Sequence, residues 1–229
     1  MAMGANTPRQ SSNAASPRPA TTRSRYHHGD LPSALKQAAL ALITRHGVEG
    51  FSLREAAAAV GVSPSAAYRH FEDKAALLRA IAADAFVEMS ERFDEAMRTV
   101  RGSGARAAQA RFRAQGHAYV NFALRQPERF LVMFGPFGAG AACPQPVAGS
   151  SGRTSPYEAL SRALDELLAA GVISASRRPG AELLVWSAIH GLATLAVSQA
   201  LRPLSGEVDS MVVRIAEDCL RALAETPTR

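Results

Sequence analysis

Between Phe51 and Leu78 the chain reads FSLREAAAAVGVSPSAAYRHFEDKAALL, with two sets of helix-boundary signals so close together that only a short, sharply turned helix pair satisfies both. Ser52 opens the first helix: its hydroxyl can accept from an orphan amide, and Glu55 three residues on completes a Ser-x-x-Glu capping box. Ala56, Ala57, Ala59 and Val60 give that helix a thin apolar face. Gly61 supplies the positive φ of a tight turn, and Ser63-Pro64 restarts a helix with a capping hydroxyl and a residue whose fixed φ suits the first turn. The restarted helix carries Ser65, Ala66, Ala67, Tyr68, Arg69 and His70. Small residues let such a helix enter a DNA major groove, while arginine, tyrosine, histidine and hydroxyls reach bases and phosphates. The spacing predicts a helix-turn-helix with a DNA-facing surface.

This stretch resembles the amino-terminal DNA-binding domain of the TetR family of bacterial transcriptional regulators. The family pattern stands here as Gly61-Val62-Ser63, Tyr68-Arg69-His70-Phe71, Lys74 and Leu77-Leu78. Upstream, Tyr26-His27-His28-Gly29-Asp30-Leu31 is similar to the start of the first helix in one branch of that family. Downstream, Trp186, His190 and Gly191 match the Trp…His-Gly signature of that branch's carboxy-terminal domain. The close resemblance runs from about Arg25 to Ala83. It implies an all-α chain of about nine helices: a basic arm over 1–24, a three-helix DNA-binding domain over 25–75, and a helical ligand-binding and dimerisation domain over 76–225, reached by a long helix. It also implies a cytoplasmic homodimer on a double-stranded DNA operator, acting as a repressor that a small-molecule effector releases. An activator of the same family, a constitutive or architectural DNA binder without effector, and a helical enzyme with an incidental motif are the alternatives.

Within the motif, Tyr68, His70 and Lys74 match family positions that contact phosphates, with Ser52 and Ser63 beside them at the helix starts. Arg54, Ser65, Ala66 and Arg69 occupy positions that can face base edges. Arginine can bind guanine O6 and N7 bidentately, so Arg54 and Arg69 are the specificity candidates. Against this, Tyr68 can pack on its own domain and Arg69 can point to solvent.

Composition agrees with a polyanionic partner without requiring one: the 229 residues carry a formal charge of +6, and all but Lys36 and Lys74 of the basic side chains are arginines. The cysteines, Cys143 and Cys219, suggest neither a disulfide framework nor a metal site, which fits a reducing cytosol. There is no apolar leader core at the amino terminus and no run of about 18 apolar residues, so neither export nor membrane insertion is expected. Gly-rich phosphate loops and the H-E-x-x-H and G-x-S-x-G motifs are absent, and neither catalysis, a cofactor nor a metal is expected.

Residues 1–25 read as a disordered arm, solvated or touching phosphates through Arg18, Arg23 and Arg25. Periodicity then predicts helices at about Leu31–His46, Lys74–Val100, Ala105–Arg125, Pro127–Phe134, Ser155–Ala170, Gly180–Leu201 and Glu207–Glu225, with a Gly/Pro-rich loop over 137–154. Phe86, Met89, Phe93, Phe112, His117, Tyr119, Phe130, Phe134 and Trp186 are candidates for an adaptable apolar ligand pocket, although any helical interior needs such residues. The resemblance implies that the last two helices pair with their symmetry mates. Ser187, His190, Gly191, Thr194 and Ser198 fit a close-approach stripe there, joined by Val208, Val212, Ile215 and Cys219 of the final helix. A histidine in that setting is also well explained as a satisfied buried residue.

Overall fold

Boundary chemistry sets the elements. In the computed structural model, which describes Met1 and residues 30–136, 155–201 and 206–224, the regular structure of the described residues is nine α-helices and no strand. They are α1 (Leu31–His46), α2 (Leu53–Val60), α3 (Pro64–Tyr68), α4 (Lys74–Thr99), α5 (Gly104–Arg125), α6 (Pro127–Phe134), α7 (Pro156–Ala169), α8 (Ala181–Val197) and α9 (Val208–Ala224). The chain divides at Asp30/Leu31, and the description concerns the compact unit from Leu31 onward. Arg18, Arg23, Arg25, the Tyr26-to-Gly29 motif, Cys143, the 137–154 loop and Glu225 lie outside the described residues.

Three starts and three stops follow from side chains legible in the sequence. Ser52 and Ser155 each accept from the backbone N–H of the glutamate three residues on, and each glutamate closes its capping box on the N-cap amide. Asp73 caps α4 by accepting from Ala76 N–H. Gly47, Gly61 and Gly171 sit at φ +75°, +79° and +70° just past α1, α2 and α7, where a side-chain-bearing residue would be strained. Elsewhere the helices run shorter than periodicity predicts. α8 stops at Val197, because Ser198 leaves helical geometry and Gln199 takes φ +59°. α3 ends at Tyr68, so Arg69 is its C-cap and His70 lies beyond it.

Packing is centred on α5, which meets α4, α6, α7, α8 and α9. One apolar cluster continues from Leu35, Leu53 and Phe71 through Leu77, Leu78 and Ile81 of α4 to Phe122, Phe130, Leu192 and Val212. A second joins Phe112 of α5 to Leu164 and Leu167 of α7 and to Cys219 and Leu223 of α9. On α2, Leu53, Ala56 and Ala57 are buried but Ala59 is exposed, so the apolar face is narrower than expected. Lys36 of α1 is ion-paired to Asp84 of α4. Glu88 of α4 accepts from Arg92, from Gln126 and from Arg129 of α6. Arg178, before α8, donates to Asp165 of α7 and to the buried Glu182. No described helix is long and apolar enough to cross a membrane.

Candidate functional site

The helix-turn-helix is set by the Gly61 turn. Gly61 N–H donates to Ala58 O and Val62 N–H to Ala57 O, which tie off the carbonyls at the end of α2. Ser63 then accepts from Ala66 N–H at 3.3 Å and starts α3 with Pro64 in its first turn. Ala67 is fully buried and seats α3 against the unit. The opposite side is open: Arg54, Ser65, Arg69 and His70 are exposed, Tyr68 is 45% exposed, and Ala66 is half-buried. Tyr68 is thus partly packed on its own domain and partly open to solvent. The serines are less free than sequence suggests. Ser52 Oγ is committed to Glu55, and Ser63 Oγ also lies 3.0 Å from Ser65 Oγ. The Ser52 bonds hold the Glu55 carboxyl below its ordinary range. Lys74 sits at the α4 N-terminus, its Nζ donating to the Glu49 carbonyl at 3.1 Å and lying 4.7 Å from the centre of the Phe51 ring.

The body holds a cavity whose volume open to the centres of water-sized molecules is about 80 Å³, several times the roughly 10–15 Å³ that one water needs. Six of the candidates line it: Phe86 and Phe93 from α4, Phe112 and Tyr119 from α5, Phe134 from α6 and Trp186 from α8. Met89 and Phe130 do not line it; both are core, at 0% and 2% exposure. His117 also lies away from it, with Nδ1 3.5 Å from Asp209. Gln115, Gly116, Tyr157, Leu160, Val185 and Ile189 line the cavity and went unrecognised in the sequence. Gln115 was legible in principle. It lies three residues after Phe112 and four before Tyr119, on the same helical face.

Beside the cavity is a cluster of polar groups among rings. Trp186 Nε1–H donates to Tyr119 Oη at 3.4 Å, and Tyr119 Oη lies 2.8 Å from His190 Nδ1. The His190 ring centre is 4.6 Å from that of Phe134 and 5.4 Å from that of Phe130. Burial raises the Tyr119 hydroxyl far above its ordinary pKa, with the Trp186 bond opposing, and burial lowers His190. Both groups are therefore neutral at pH 7, and one hydrogen bond joins the Tyr119 hydroxyl to Nδ1.

The residues expected at a subunit interface fall into a buried and an exposed group within the protomer. His190 turns into the protomer. On α9, Val208, Val212 and Cys219 are buried at 7%, 0% and 6% exposure, and Val212, Ile215 and Cys219 face the cavity. Much of this stripe packs inside the protomer, while Ile215 is half-buried. On α8, Ser187 and Thr194 are exposed, along with Leu183, Leu184 and Leu195, as is Ser198 at its C-cap. Gly191 is half-buried, and a Cβ added there would meet nothing within 4 Å.

Comparison with known proteins agrees with this arrangement at both ends. Residues 35–81 match the family described as bacterial regulatory proteins, tetR family, and residues 112–219 match the tetracyclin repressor-like C-terminal domain. The chain belongs to the TetR family of transcriptional regulators. As a TetR-family member it is a DNA-binding regulator. A Rhodococcus sp. RHA1 protein of unknown function is 31% identical over 88% of this chain and 99% of its own, with a TM-score of 0.66. A regulatory protein of the tetR family from Rhodococcus RHA1, 20% identical over 86% of this chain and 98% of its own, superposes with a TM-score of 0.62. A TetR-family regulator from Marinobacter aquaeolei VT8, 19% identical over 85% and 96%, gives 0.59. At those lower identities the likeness is one of fold. Among curated proteins, none matches the chain significantly.

Proposed function

We propose that the protein is a cytoplasmic homodimeric repressor that occupies a near-palindromic operator and leaves it when a small molecule fills the body cavity. The observation that carries this reading is the double duty of α4. Its first turns supply Lys74 and bury Leu77 and Leu78 beneath the helix-turn-helix, while Phe86 and Phe93, further along the same helix, form cavity wall. A ligand that displaces those rings moves the helix that carries the head. It shifts the equilibrium only by its differential affinity for the two positions of α4.

In this reading residues 25–75 read DNA and residues 76–225 sense and dimerise. Arg54 and Arg69 face base edges, with Ser65 and Ala66 between them. Tyr68, His70 and Lys74 contact phosphates, and Ser52 and Ser63 serve mainly as caps. One short helix reads too few base pairs alone, so two heads related by a two-fold axis are needed. The exposed face of α8, with Ser187, Gly191, Thr194 and Ser198 flanked by Leu184 and Leu195, supplies the subunit contact. Its small residues allow close approach, and its leucines supply apolar area.

Fluorescence anisotropy on the protein's own promoter at several salt concentrations tests the reading. Binding should be dimeric and fall steeply with salt. Arg54→Ala should cost about 1–3 kcal/mol, mainly on the cognate site, whereas Lys74→Ala should weaken all sequences alike and reduce the salt slope by about one. A footprint on one unrepeated half-site would rule the reading out. Gly191→Leu should overpack the subunit contact by about 1–3 kcal/mol or more, giving a weaker dimer or a monomer with intact helical circular dichroism. A tight dimer with normal operator affinity would place the contact elsewhere.

A further inference from the structure

Gln115 sets an unpaired amide oxygen in the cavity wall. It is 5% exposed, lines the cavity between Phe112 and Tyr119, and its Oε1 has no hydrogen-bond partner. A buried amide oxygen left unpaired costs free energy comparable to a lost hydrogen bond, so native interiors rarely keep one unless a water or ligand completes it. The rest of the lining gives the second constraint. Among the described residues no Asp, Glu, Lys, Arg or His side chain lines the cavity, whose wall is mostly aromatic and aliphatic. A charged ligand would leave water without a counter-charge to receive it, which is prohibitive in such surroundings. The neighbouring polar groups do not change this. Tyr119, Trp186 and His190 are neutral and hydrogen-bonded to one another, and Ser155 and Tyr157 add hydroxyls to the wall, that of Ser155 engaged in its helix cap.

We propose that the cavity selects an uncharged, mainly apolar small molecule carrying one hydroxyl or amide donor, and that Gln115 Oε1 is the acceptor that reads it. This rests on the cavity being the effector site. It adds what that site requires of its ligand: shape and apolar area that suit the rings, and a donor that meets the unpaired oxygen.

Trp186 is the sole tryptophan of the chain and lines the cavity, so its emission reports occupancy of the full-length protein directly. Three optically silent probes separate the terms: n-heptanol, its isomer methyl hexyl ether, which lacks the donor, and heptanoate, which adds a charge. Heptanol should shift Trp186 emission saturably, the ether should bind about tenfold more weakly, and heptanoate at least about a hundredfold more weakly. Gln115→Met, close in shape but without the amide, should keep the ether's affinity and lower heptanol to the same level. Gln115→Leu serves as a second variant, and circular dichroism confirms that each folds. If the wild type does not separate alcohol from ether, or if the preference survives in both variants, Gln115 is not the acceptor while the cavity remains a ligand site. Heptanoate binding as tightly as heptanol would overturn the uncharged class. If none of the three perturbs Trp186, the cavity is not an effector site and the inference falls with that reading.

Discussion

At the level of single residues, the polar groups set in the body are tuned by burial and by each other. His190 is held below its ordinary pKa of 6.5 by burial. In the unfolded chain the imidazole takes its proton near 6.5, while in the folded protein it resists until lower pH, so between those values the unfolded state binds more protons. The stability this group contributes is therefore present above pH 6.5 and declines as pH falls below it. The imidazole resonances should titrate below 6.5 by NMR, and Tyr119→Phe should disturb that titration by removing the hydroxyl that occupies Nδ1. Glu182 follows the acid-group rule. Burial alone would raise it, but its own backbone N–H, Ser161 and Arg178 outweigh burial and leave it below its ordinary 4.5. Its contribution is present above pH 4.5 and lost as pH falls further. Arg178→Met would leave this 7%-exposed carboxylate with Ser161 and its own backbone N–H but no cation, at a cost of about 3 kcal/mol, the low end for breaking a buried pair. Thermal melts at pH 7 and pH 4 check this: the deficit should be smaller at the acid value.

At the level of elements, the turn between α2 and α3 depends on one backbone conformation. A Cβ at Gly61 would meet nothing within 4 Å, yet φ is +79°. Gly61→Ala should therefore destabilise the protein by about 1–2 kcal/mol through conformation alone, measurable by urea unfolding with an unchanged m-value. Local signals of this kind made the element order legible: the Ser52 and Ser155 boxes, the Ser63-Pro64 restart and the closing glycines stand in the sequence within a residue or two of where the helices begin and end. What each helix faces was less legible. The α9 stripe of Val208, Val212 and Cys219 has the same periodicity whether it meets its own core or another chain, and its packing on α5 and α8 is visible only in the fold. His117 and Tyr119, two residues apart on α5, point different ways, so aromatic or polar identity alone could not sort pocket from surface. Gln115 escaped notice because an amide in a run of alanines and arginines looks like solvated surface until its neighbours are in place.

At the level of the whole molecule, the proposed coupling between cavity and head would run through α4 and its ties. Glu88 holds α6 to α4 through Arg129 and Gln126, and lies between the cavity rings Phe86 and Phe93 in sequence. Glu88→Gln should leave operator affinity without ligand nearly unchanged. It should alter the ligand concentration needed for release by about tenfold, a coupling change of about 1.4 kcal/mol, read by titrating ligand against a fluorescent operator. The apolar cluster that runs unbroken from Leu35 of α1 to Val212 of α9 has a further consequence, for how such proteins are recombined. A head cut at the end of α3 and grafted onto another sensor would arrive without the surface that seats it, since Leu77, Leu78 and Ile81 belong to α4. Functional chimeras of this protein should require junctions placed well inside α4, and the natural shuffling of specificities within such a lineage should proceed by point substitution on the exposed side of the motif more readily than by exchange of whole heads.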